Sequence, residues 1–219
     1  GCAVTAPAPS VTLKLATSLD GRIALADGRS KWITGPASRS EVHRLRASHD
    51  CVLTGLGTVL ADDPMMTARD GDKPWPKQPR RAVMDTHLRI PETSAFLMAG
   101  EAIVFHAVRS GERLSGATAK LVELPREGDF VSLASALDWL AADGCATVMI
   151  EAGARLAASA IRSRRISRIE WFRAPILLGG DGLACIAALG LESLEGPPTF
   201  TCVERRACGR DIWESWERV

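Results

Sequence analysis

The chain has 219 residues, of which 46% are hydrophobic, so it is long enough for one α/β domain with a sizeable core. Its 27 basic and 26 acidic residues leave a formal charge of +1, which is too balanced to attract nucleic acid or an anionic membrane surface. No apolar run approaches the roughly 18 residues of a membrane helix, and residues 1–10 have neither the basic nor the apolar region of a signal peptide. We therefore expect a small-molecule partner, with no nucleic acid and no membrane.

The cysteines favour a reducing compartment. They form no C-x-x-C pair, so neither a disulfide framework nor a zinc site is expected. We therefore expect a cytoplasmic location. Cys51 and Cys145 lie in apolar runs and are expected to be buried thiols. The six positions are Cys2, Cys51, Cys145, Cys185, Cys202 and Cys208. The chain begins with Gly instead of Met, so the sequence leaves open whether it is a portion of a longer protein.

The first predicted elements follow a linker or tail over residues 1–10. Apolar and polar residues alternate over Val11–Thr17, which predicts a first strand, and Asp20-Gly21 marks a turn. A second, short strand is predicted just before Gly35-Pro36. Pro36 suits the first turn of a helix that extends to about His49, and Cys51–Thr54 is predicted as a buried strand.

After a Pro-rich loop, strands and helices alternate before two closing strands. The predicted strands are Arg81–Asp85, Ala102–His106, Lys120–Leu124, Ala146–Ile150 and Ile166–Ala174, the helices are Leu133–Ala142 and Arg155–Arg164, and the closing hairpin is Phe200–Arg205 with Asp211–Trp216. This order predicts the α/β class, with a mixed, mainly parallel sheet flanked by helices and a C-terminal antiparallel hairpin. Residues 11–219 are expected to form a single domain.

Several common catalytic motifs are absent from the chain. It contains no G-x-G-x-x-G, no G-x-x-x-x-G-K-[ST] and no G-x-S-x-G. Its four histidines lack the spacing of metal ligands, and the H-x-E and P-C-x-x-C motifs of zinc deaminases are missing. We expect no metal site and no deamination.

Three stretches carry candidate site residues, and the first is residues 14–34. Asp20-Gly21-Arg22 follows the first strand, and Ser30, Lys31 and Trp32 lie in a polar loop. Trp32 is either a packing anchor or a flat wall for a ribose or a nicotinamide, and the sequence does not decide between them.

The second stretch is residues 43–69. The Gly55–Gly57 turn after a strand would let backbone N–H groups approach a phosphate. Arg46 and Arg69 are candidates for a fork on one anion. The alternative is that both arginines are solvated or pair with Asp62 and Asp63.

The third stretch is residues 150–182. Glu151 ends a predicted strand, where α/β sheets bind ligands, and the turn at Ala152–Ala154 begins a helix whose N–H groups suit a pyrophosphate. Glu151 is alternatively a carboxylate that complements the helix dipole. The glycines at 179, 180 and 182 form either a plain connection or a lid beside the substrate.

Together these stretches resemble a known family, the 5-amino-6-(5-phosphoribosylamino)uracil reductase domain of bacterial riboflavin biosynthesis. The motifs that carry the resemblance cover nearly the whole chain in order. They are K-x-A-x-S-L-D-G-R-x-A at Lys14–Ala24, S-x-W-I-T-[GS]-P at Ser30–Pro36, R-A at Arg46-Ala47, G-T-V-L-A-D-D-P-x-[LM]-T-x-R at Gly57–Arg69, E-[AG]-G-x-x-L-A-x-[SA] at Glu151–Ser159 and A-P-x-L-L-G at Ala174–Gly179.

The resemblance implies a dihydrofolate-reductase-like fold, a set of site residues and NADPH as cofactor. The implied substrate-binding residues are Ser30, Arg46, Met66, Arg69 and Glu151. The implied NADPH-binding residues are Ala16, Trp32, Thr58, Asp62, Thr86, Gly153, Ala154, Arg155, Leu156, Ala157, Ala158 and Ser159. Lys14 and Glu151 are the expected catalytic pair. Met66 and Thr86 replace the Leu and Ser that are common in relatives.

The implied reaction is the reduction of a phosphorylated ribosylaminopyrimidine to its ribitylamino product, in which the nicotinamide supplies a hydride. Two alternatives remain, namely a reductase of the same fold that acts on another substrate such as a dihydropterin, and a non-catalytic nucleotide-binding module. A deaminase domain or protein is expected upstream in the pathway. The resemblance also implies a homodimer. A dimer interface or a single core could cover the aromatic residues of the C-terminal region, which are Trp171, Phe172, Trp213 and Trp216.

Overall fold

A computed structural model describes residues 7–109 and 119–219 of the chain. Cys2 and residues 1–6 of the expected tail lie outside the described residues. The strands are β1 (Ser10–Thr17), β2 (Arg22–Ala24), β3 (Cys51–Gly55), β4 (Arg69–Asp70), β5 (Lys73–Pro74), β6 (Arg80–Met84), β7 (Ala102–His106), β8 (Ala119–Glu123), β9 (Arg126–Glu127), β10 (Phe130–Val131), β11 (Thr147–Glu151), β12 (Ile166–Arg173), β13 (Leu183–Ala184), β14 (Phe200–Cys208) and β15 (Asp211–Arg218).

Nine of these strands form one twisted sheet in the order β14-β15-β12-β1-β11-β3-β6-β7-β8. The pairs from β12 to β8 are parallel, whereas β15 pairs antiparallel with both β12 and β14. The mixed, mainly parallel sheet and the closing hairpin are therefore confirmed. Three two-stranded ribbons, β2 with β13, β4 with β5 and β9 with β10, lie outside this sheet.

Helices flank the sheet, and local chemistry explains where several of them begin. The helices are α1 (Pro36–Ser48), α2 (Leu56–Asp62), α3 (Ala95–Met98), α4 (Leu133–Ala142) and α5 (Ala154–Arg162). The proline at position 36 occupies the first turn of α1, where its missing N–H costs nothing. The hydroxyl of Ser132 accepts a bond from the N–H of Ser135 and so caps α4.

Alternating side chains along the central strands create two cores, one on each side of the sheet. On one side, Val11, Leu13, Leu53 and Ile150 pack with the buried faces of α4 and α5. The second core lies on the opposite face, and its members include Val52, Leu56, Val59, Val83, Phe96 and Met149. Because Met149 faces this second side, Glu151 two residues later faces it as well.

Three local predictions were wrong, and one of them is the strand predicted over Phe200–Arg205, which extends to Cys208. The expected short strand before Gly35-Pro36 does not form, and residues 31–34 form turns and bends. Arg210 binds the carbonyl of Ile33 there, and Arg39 of α1 binds that of Thr34. The helix predicted to end at Arg164 instead ends at Arg162, because Arg164 has a left-handed backbone with φ of 56°.

Candidate active site

The centre of the site is a charged cluster at the carboxyl end of the parallel strands. Lys14 in β1 lies directly opposite Glu151 in β11, and the Lys14 Nζ atom is 3.1 Å from Glu151 Oε2. Arg46, which α1 places over this face of the sheet, donates from Nε to Oε1 at 2.6 Å and from Nη2 to Oε2 at 3.0 Å. All three side chains are largely buried, with exposed fractions of 15% or less.

The two cations keep Glu151 ionised. Burial alone raises the pKa of Glu151, but the opposing charges of Arg46 and Lys14 outweigh that effect and lower the pKa to about 2. Burial lowers the pKa of Arg46, and the stronger attraction of Glu151 raises it above its ordinary value. At neutral pH the cluster therefore holds one carboxylate between two cations, so Glu151 has no proton to give.

The predicted fork of Arg46 and Arg69 on one anion stays a prediction, and the two arginines have different partners in the structure. Arg46 directs its Nε and Nη2 groups at Glu151, and its Nη1 group donates to the carbonyl of Thr67 at 3.0 Å. The alternative pairing of Arg46 with Asp62 or Asp63 is not seen, because Arg46 pairs with Glu151. Arg69 is exposed in β4, where its N–H donates to His43 Nδ1 at 3.2 Å. Burial and the nearby Arg46 charge lower the pKa of His43.

The polar loop with Ser30, Lys31 and Trp32 lies beside the end of α2. The hydroxyl of Ser30 donates to Asp62 Oδ1 at 3.4 Å, so a predicted substrate residue and a predicted cofactor residue are neighbours. The side chain of Trp32 is 67% exposed and lies under the guanidinium of Arg39, 4.4 Å from its ring centre. A core packing role for Trp32 is therefore wrong, and its ring is available as a flat surface.

The two turns expected to approach phosphate groups are also neighbours. The Leu156 side chain of α5 lies against Gly55 at the end of β3, so the β3–α2 turn and the start of α5 face the same edge. Gly153 precedes α5 without a side-chain cap. The first-turn N–H groups, which an α-helix cannot pair internally, are thus left without a side-chain acceptor there. Glu151 bonds to the two cations, and the alternative that it caps this helix is not seen.

The remaining predicted ligand residues differ in how accessible they are. Thr58 is half-buried in the first turn of α2, and Arg155 is exposed at the start of α5. Met66, Ala157 and Ala158 are buried, and Met66 has a left-handed backbone with φ of 55°. Contacts of these buried residues with a ligand would therefore come from backbone atoms. Thr86 is also buried, and its hydroxyl accepts from the N–H of Val131 at 3.0 Å, while Ala16 packs under α1.

Sequence reasoning missed Asp20, which anchors the loop that contains the glycines at 179, 180 and 182 (the glycine loop). Its carboxylate accepts from the Ser18 hydroxyl at 2.6 Å and from the N–H groups of Leu178 at 3.1 Å and Gly179 at 2.8 Å. These bonds, with that from Ser18 first, lower the pKa of Asp20 to about 2. The Asp-Gly turn was visible in the sequence, but its partner 158 residues away was not. The glycine loop is thus fixed at its start.

The described ranges contain neither a metal-binding cluster nor a membrane-spanning helix. Within residues 7–109 and 119–219, no group of three or more His, Cys, Asp or Glu side chains is arranged to hold a metal ion. No helix in those same ranges is long and apolar enough to cross a membrane.

Comparison with known proteins identifies the class and then the family. The sheet and its flanking helices are those of a dihydrofolate-reductase-like α/β domain, as seen in solved reductase structures. The chain belongs to the RibD C-terminal domain family, whose model matches residues 9–213.

Individual relatives match almost the whole of this chain. The riboflavin biosynthesis protein RibD of Bacillus amyloliquefaciens is 37% identical over 211 residues, which cover 93% of this chain and 56% of that protein. The structure of Acinetobacter baumannii RibD superposes with a TM-score of 0.85 at 31% identity, over 97% of this chain and 58% of that one. A Thermotoga maritima deaminase and 5-amino-6-(5-phosphoribosylamino)uracil reductase has a TM-score of 0.79 at 26% identity, over 99% and 58%. The chain spans a little over half the length of these relatives.

Proposed function

We propose that this chain is an oxidoreductase that uses NADPH to reduce the ribosylamino group of 5-amino-6-(5-phosphoribosylamino)uracil to a ribitylamino group in riboflavin biosynthesis. The observation that carries the proposal is the Lys14–Glu151–Arg46 cluster at the carboxyl edge of the sheet, in a chain of the RibD C-terminal domain family. The Thermotoga relative is named for this reduction.

The edge of the sheet fits a dinucleotide. The uncapped start of α5 suits an anionic pyrophosphate, since the helix dipole and the free N–H groups both favour negative charge. Trp32 offers an exposed ring for a ribose or a nicotinamide, and Thr58 and Asp62 lie on α2 beside it. The bound cofactor would supply the hydride. Calorimetric titration with NADPH and NADH tests the nucleotide preference, and tighter NADH binding would contradict it.

The protein's own groups divide the remaining work. Adding a hydride to C1′ of the open-chain imine also requires one proton at nitrogen, and Glu151 is ionised and cannot give it. The Lys14 ammonium, 3.1 Å from Glu151, carries the available proton. Glu151 holds Lys14 in place and stabilises positive charge that develops on the imine nitrogen. Arg46 fixes the orientation of Glu151 through two parallel bonds.

Substrate binding falls to the residues that the family motifs assign to it. The exposed guanidinium of Arg69 takes the 5-phosphate, while Arg46 serves it only through donors that Glu151 and Thr67 leave free. Ser30 and the backbone near Met66 complete the pocket. The substrate is the product of a deaminase, which acts as a separate domain or protein. The chain works in the cytoplasm as a homodimer.

The direct test is NADPH oxidation in the presence of the phosphoribosylaminopyrimidine. The wild-type protein should turn over, and Lys14→Met should lower kcat by at least about 100-fold, the usual size of a general-acid contribution. NADPH affinity should change little, because Lys14 contacts the substrate side. Lys77→Met is the matched control, since Lys77 is exposed and pairs only with Asp50. A wild-type protein without turnover, or Lys14→Met with full activity, would overturn the assignment.

A further inference from the structure

The loop that carries Ser30 and Trp32 is held at its base by three side chains. Arg210 donates from Nη2 to the carbonyl of Ile33 at 3.1 Å. Arg39 donates from Nη1 to the next carbonyl, that of Thr34, at 2.8 Å. Three consecutive residues of the loop therefore have a backbone group bound from outside, because the third, Gly35, donates its N–H to Asp211 Oδ2 at 2.6 Å.

Two of these three side chains come from the tip of the C-terminal hairpin. Asp211 is 1% exposed, and the same Oδ2 atom accepts from the Ser38 hydroxyl at 2.6 Å. Gly35 has no capping side chain of its own, so Asp211 acts as a remote cap for the start of α1. It thereby ties the loop, the helix that carries Arg46 and the hairpin into one rigid joint.

Close packing at the joint supports the same conclusion. A Cβ atom on Gly209 would lie 3.1 Å from the Cβ of Ala37, and Gly209 has a left-handed φ of 61°. A Cβ atom on Gly35 would lie 3.4 Å from Asp211 Oδ2 and 3.7 Å from Arg210 Cγ. The hairpin tip thus lies directly against the point where the loop becomes α1.

The loop above this base is short and internally bonded. The N–H of Ile33 donates to the carbonyl of Ser30 at 3.2 Å, which encloses Lys31 and Trp32 in a tight turn. Trp32 is itself 67% exposed and has Arg39 over its ring. The position of this ring therefore depends on the base of the loop rather than on burial of the indole.

We propose that the tip of the C-terminal hairpin is a positioning element of the ligand site, in which Arg210 and Asp211 preorganise the loop that presents Ser30 and Trp32. The inference rests on the proposed function in that Trp32 contacts the dinucleotide. When Arg210 or Asp211 no longer binds the backbone of the loop, the ligand must order the loop on binding, and this cost appears as weaker affinity. The chemical step is left to Lys14 and Glu151, so turnover at saturation stays the same.

Arg210→Ala is the informative variant, because the side chain is half-exposed and its loss should not unfold the protein. We expect faster amide exchange over residues 30–36 by mass spectrometry, and a Kd for NADPH that rises by about 5- to 10-fold. The melting temperature and kcat should stay close to the wild-type values. Arg210→Lys, which keeps a donor for the Ile33 carbonyl, should recover most of the affinity.

The matched control is Arg205→Ala on the same hairpin. Arg205 is similarly exposed and pairs with Glu214, away from the loop, so neither exchange nor affinity should change. Unchanged exchange and affinity in Arg210→Ala, or equal changes in Arg205→Ala, would overturn the proposal. Asp211→Asn, which keeps an acceptor for Gly35, should fall between wild type and Arg210→Ala. A wild-type protein that does not bind NADPH would refute the proposed function and the ligand role of the loop, whereas the exchange data decide its anchoring separately.

Discussion

Among single residues, Glu151 should make the free energy of unfolding depend on pH. Its pKa is about 2 in the folded protein and 4.5 ordinarily, so the ionised form is favoured by folding. The stabilisation is therefore complete above pH 4.5 and is lost as the pH falls towards 2. Glu151→Gln should lose roughly 3–5 kcal/mol at neutral pH, because it leaves two largely buried cations unpaired.

Urea unfolding of both proteins over a pH series measures this effect. The difference in the free energy of unfolding should shrink as the pH is lowered through that window, since protonation removes the same charge from the wild type. Glu192→Gln, at an exposed carboxylate, provides the control and should parallel the wild type. A constant difference at every pH would show that Glu151 is not held ionised by its neighbours.

Arg69 carries the prediction that concerns substrate charge. Arg69→Ala should weaken binding of the phosphorylated substrate by roughly 10- to 150-fold, which corresponds to a charge-assisted hydrogen bond of about 1.5–3 kcal/mol. NADPH affinity should be unchanged. Arg44→Ala is the comparison, because Arg44 is an exposed arginine on α1 that pairs with Glu41. Equal substrate affinity in the Arg69 and Arg44 variants would remove Arg69 from the phosphate site.

Residue roles were predictable only where a motif or a strand end exposed them. Glu151 could be chosen from the sequence because it follows a predicted strand, and Lys14 because it begins a motif shared with the reductase family. The pairing of Arg46 with Glu151 could not, since it spans 105 residues and depends on how α1 crosses the sheet. The contact of Arg46 with the substrate phosphate stays a prediction, and in the structure Arg46 binds the carboxylate of Glu151.

At the scale of elements, the C-terminal hairpin gives a test that separates backbone strain from packing. Gly209 and Gly128 have nearly the same left-handed φ, 61° and 62°, but only Gly209 lies against another side chain. Each change to Ala should cost roughly 1–2 kcal/mol from backbone strain. Gly209→Ala should cost about 1 kcal/mol more, because its new Cβ crowds Ala37.

Thermal unfolding of the two glycine variants measures the difference directly. In an Ala37→Gly background the extra cost of Gly209→Ala should disappear, since the crowded atom is gone. If Gly209→Ala and Gly128→Ala are equally destabilised in the wild-type background, the hairpin tip does not pack on α1 as described.

Element type was predictable wherever hydrophobic periodicity was strong. The strands at 51–55, 102–106 and 166–173 have continuous or alternating apolar residues, and each was placed within a residue or two. Residues 31–34 have strand-like composition, with Trp, Ile and Thr in sequence, yet they form turns. Their backbone groups bond to Arg39 and Arg210, which are contacts that local propensity does not contain.

At the scale of the whole molecule, the strand order was beyond sequence reasoning. The first strand lies in the interior of the sheet between β11 and β12, which come more than 130 residues later. Some of the aromatic residues that were expected at a dimer surface are instead buried inside a single chain. Phe172 and Trp213 are buried and stack with ring centres 4.9 Å apart.

The homodimer stays a prediction, and β14 now gives the reason for it. This nine-residue strand forms the edge of the main sheet, and most of its side chains are exposed, including Val203 at 48%. A long exposed edge is a template for pairing, and an isologous pair would join two sheets at once.

Light scattering at micromolar concentration should therefore give twice the monomer mass for the wild type. Val203→Lys should give the monomer, because a charge on an exposed sheet edge opposes strand pairing. Leu194→Lys, which alters a 98% exposed side chain outside the sheet, should stay dimeric. A monomeric wild type would refute the dimer, and a dimeric Val203→Lys would place the interface elsewhere.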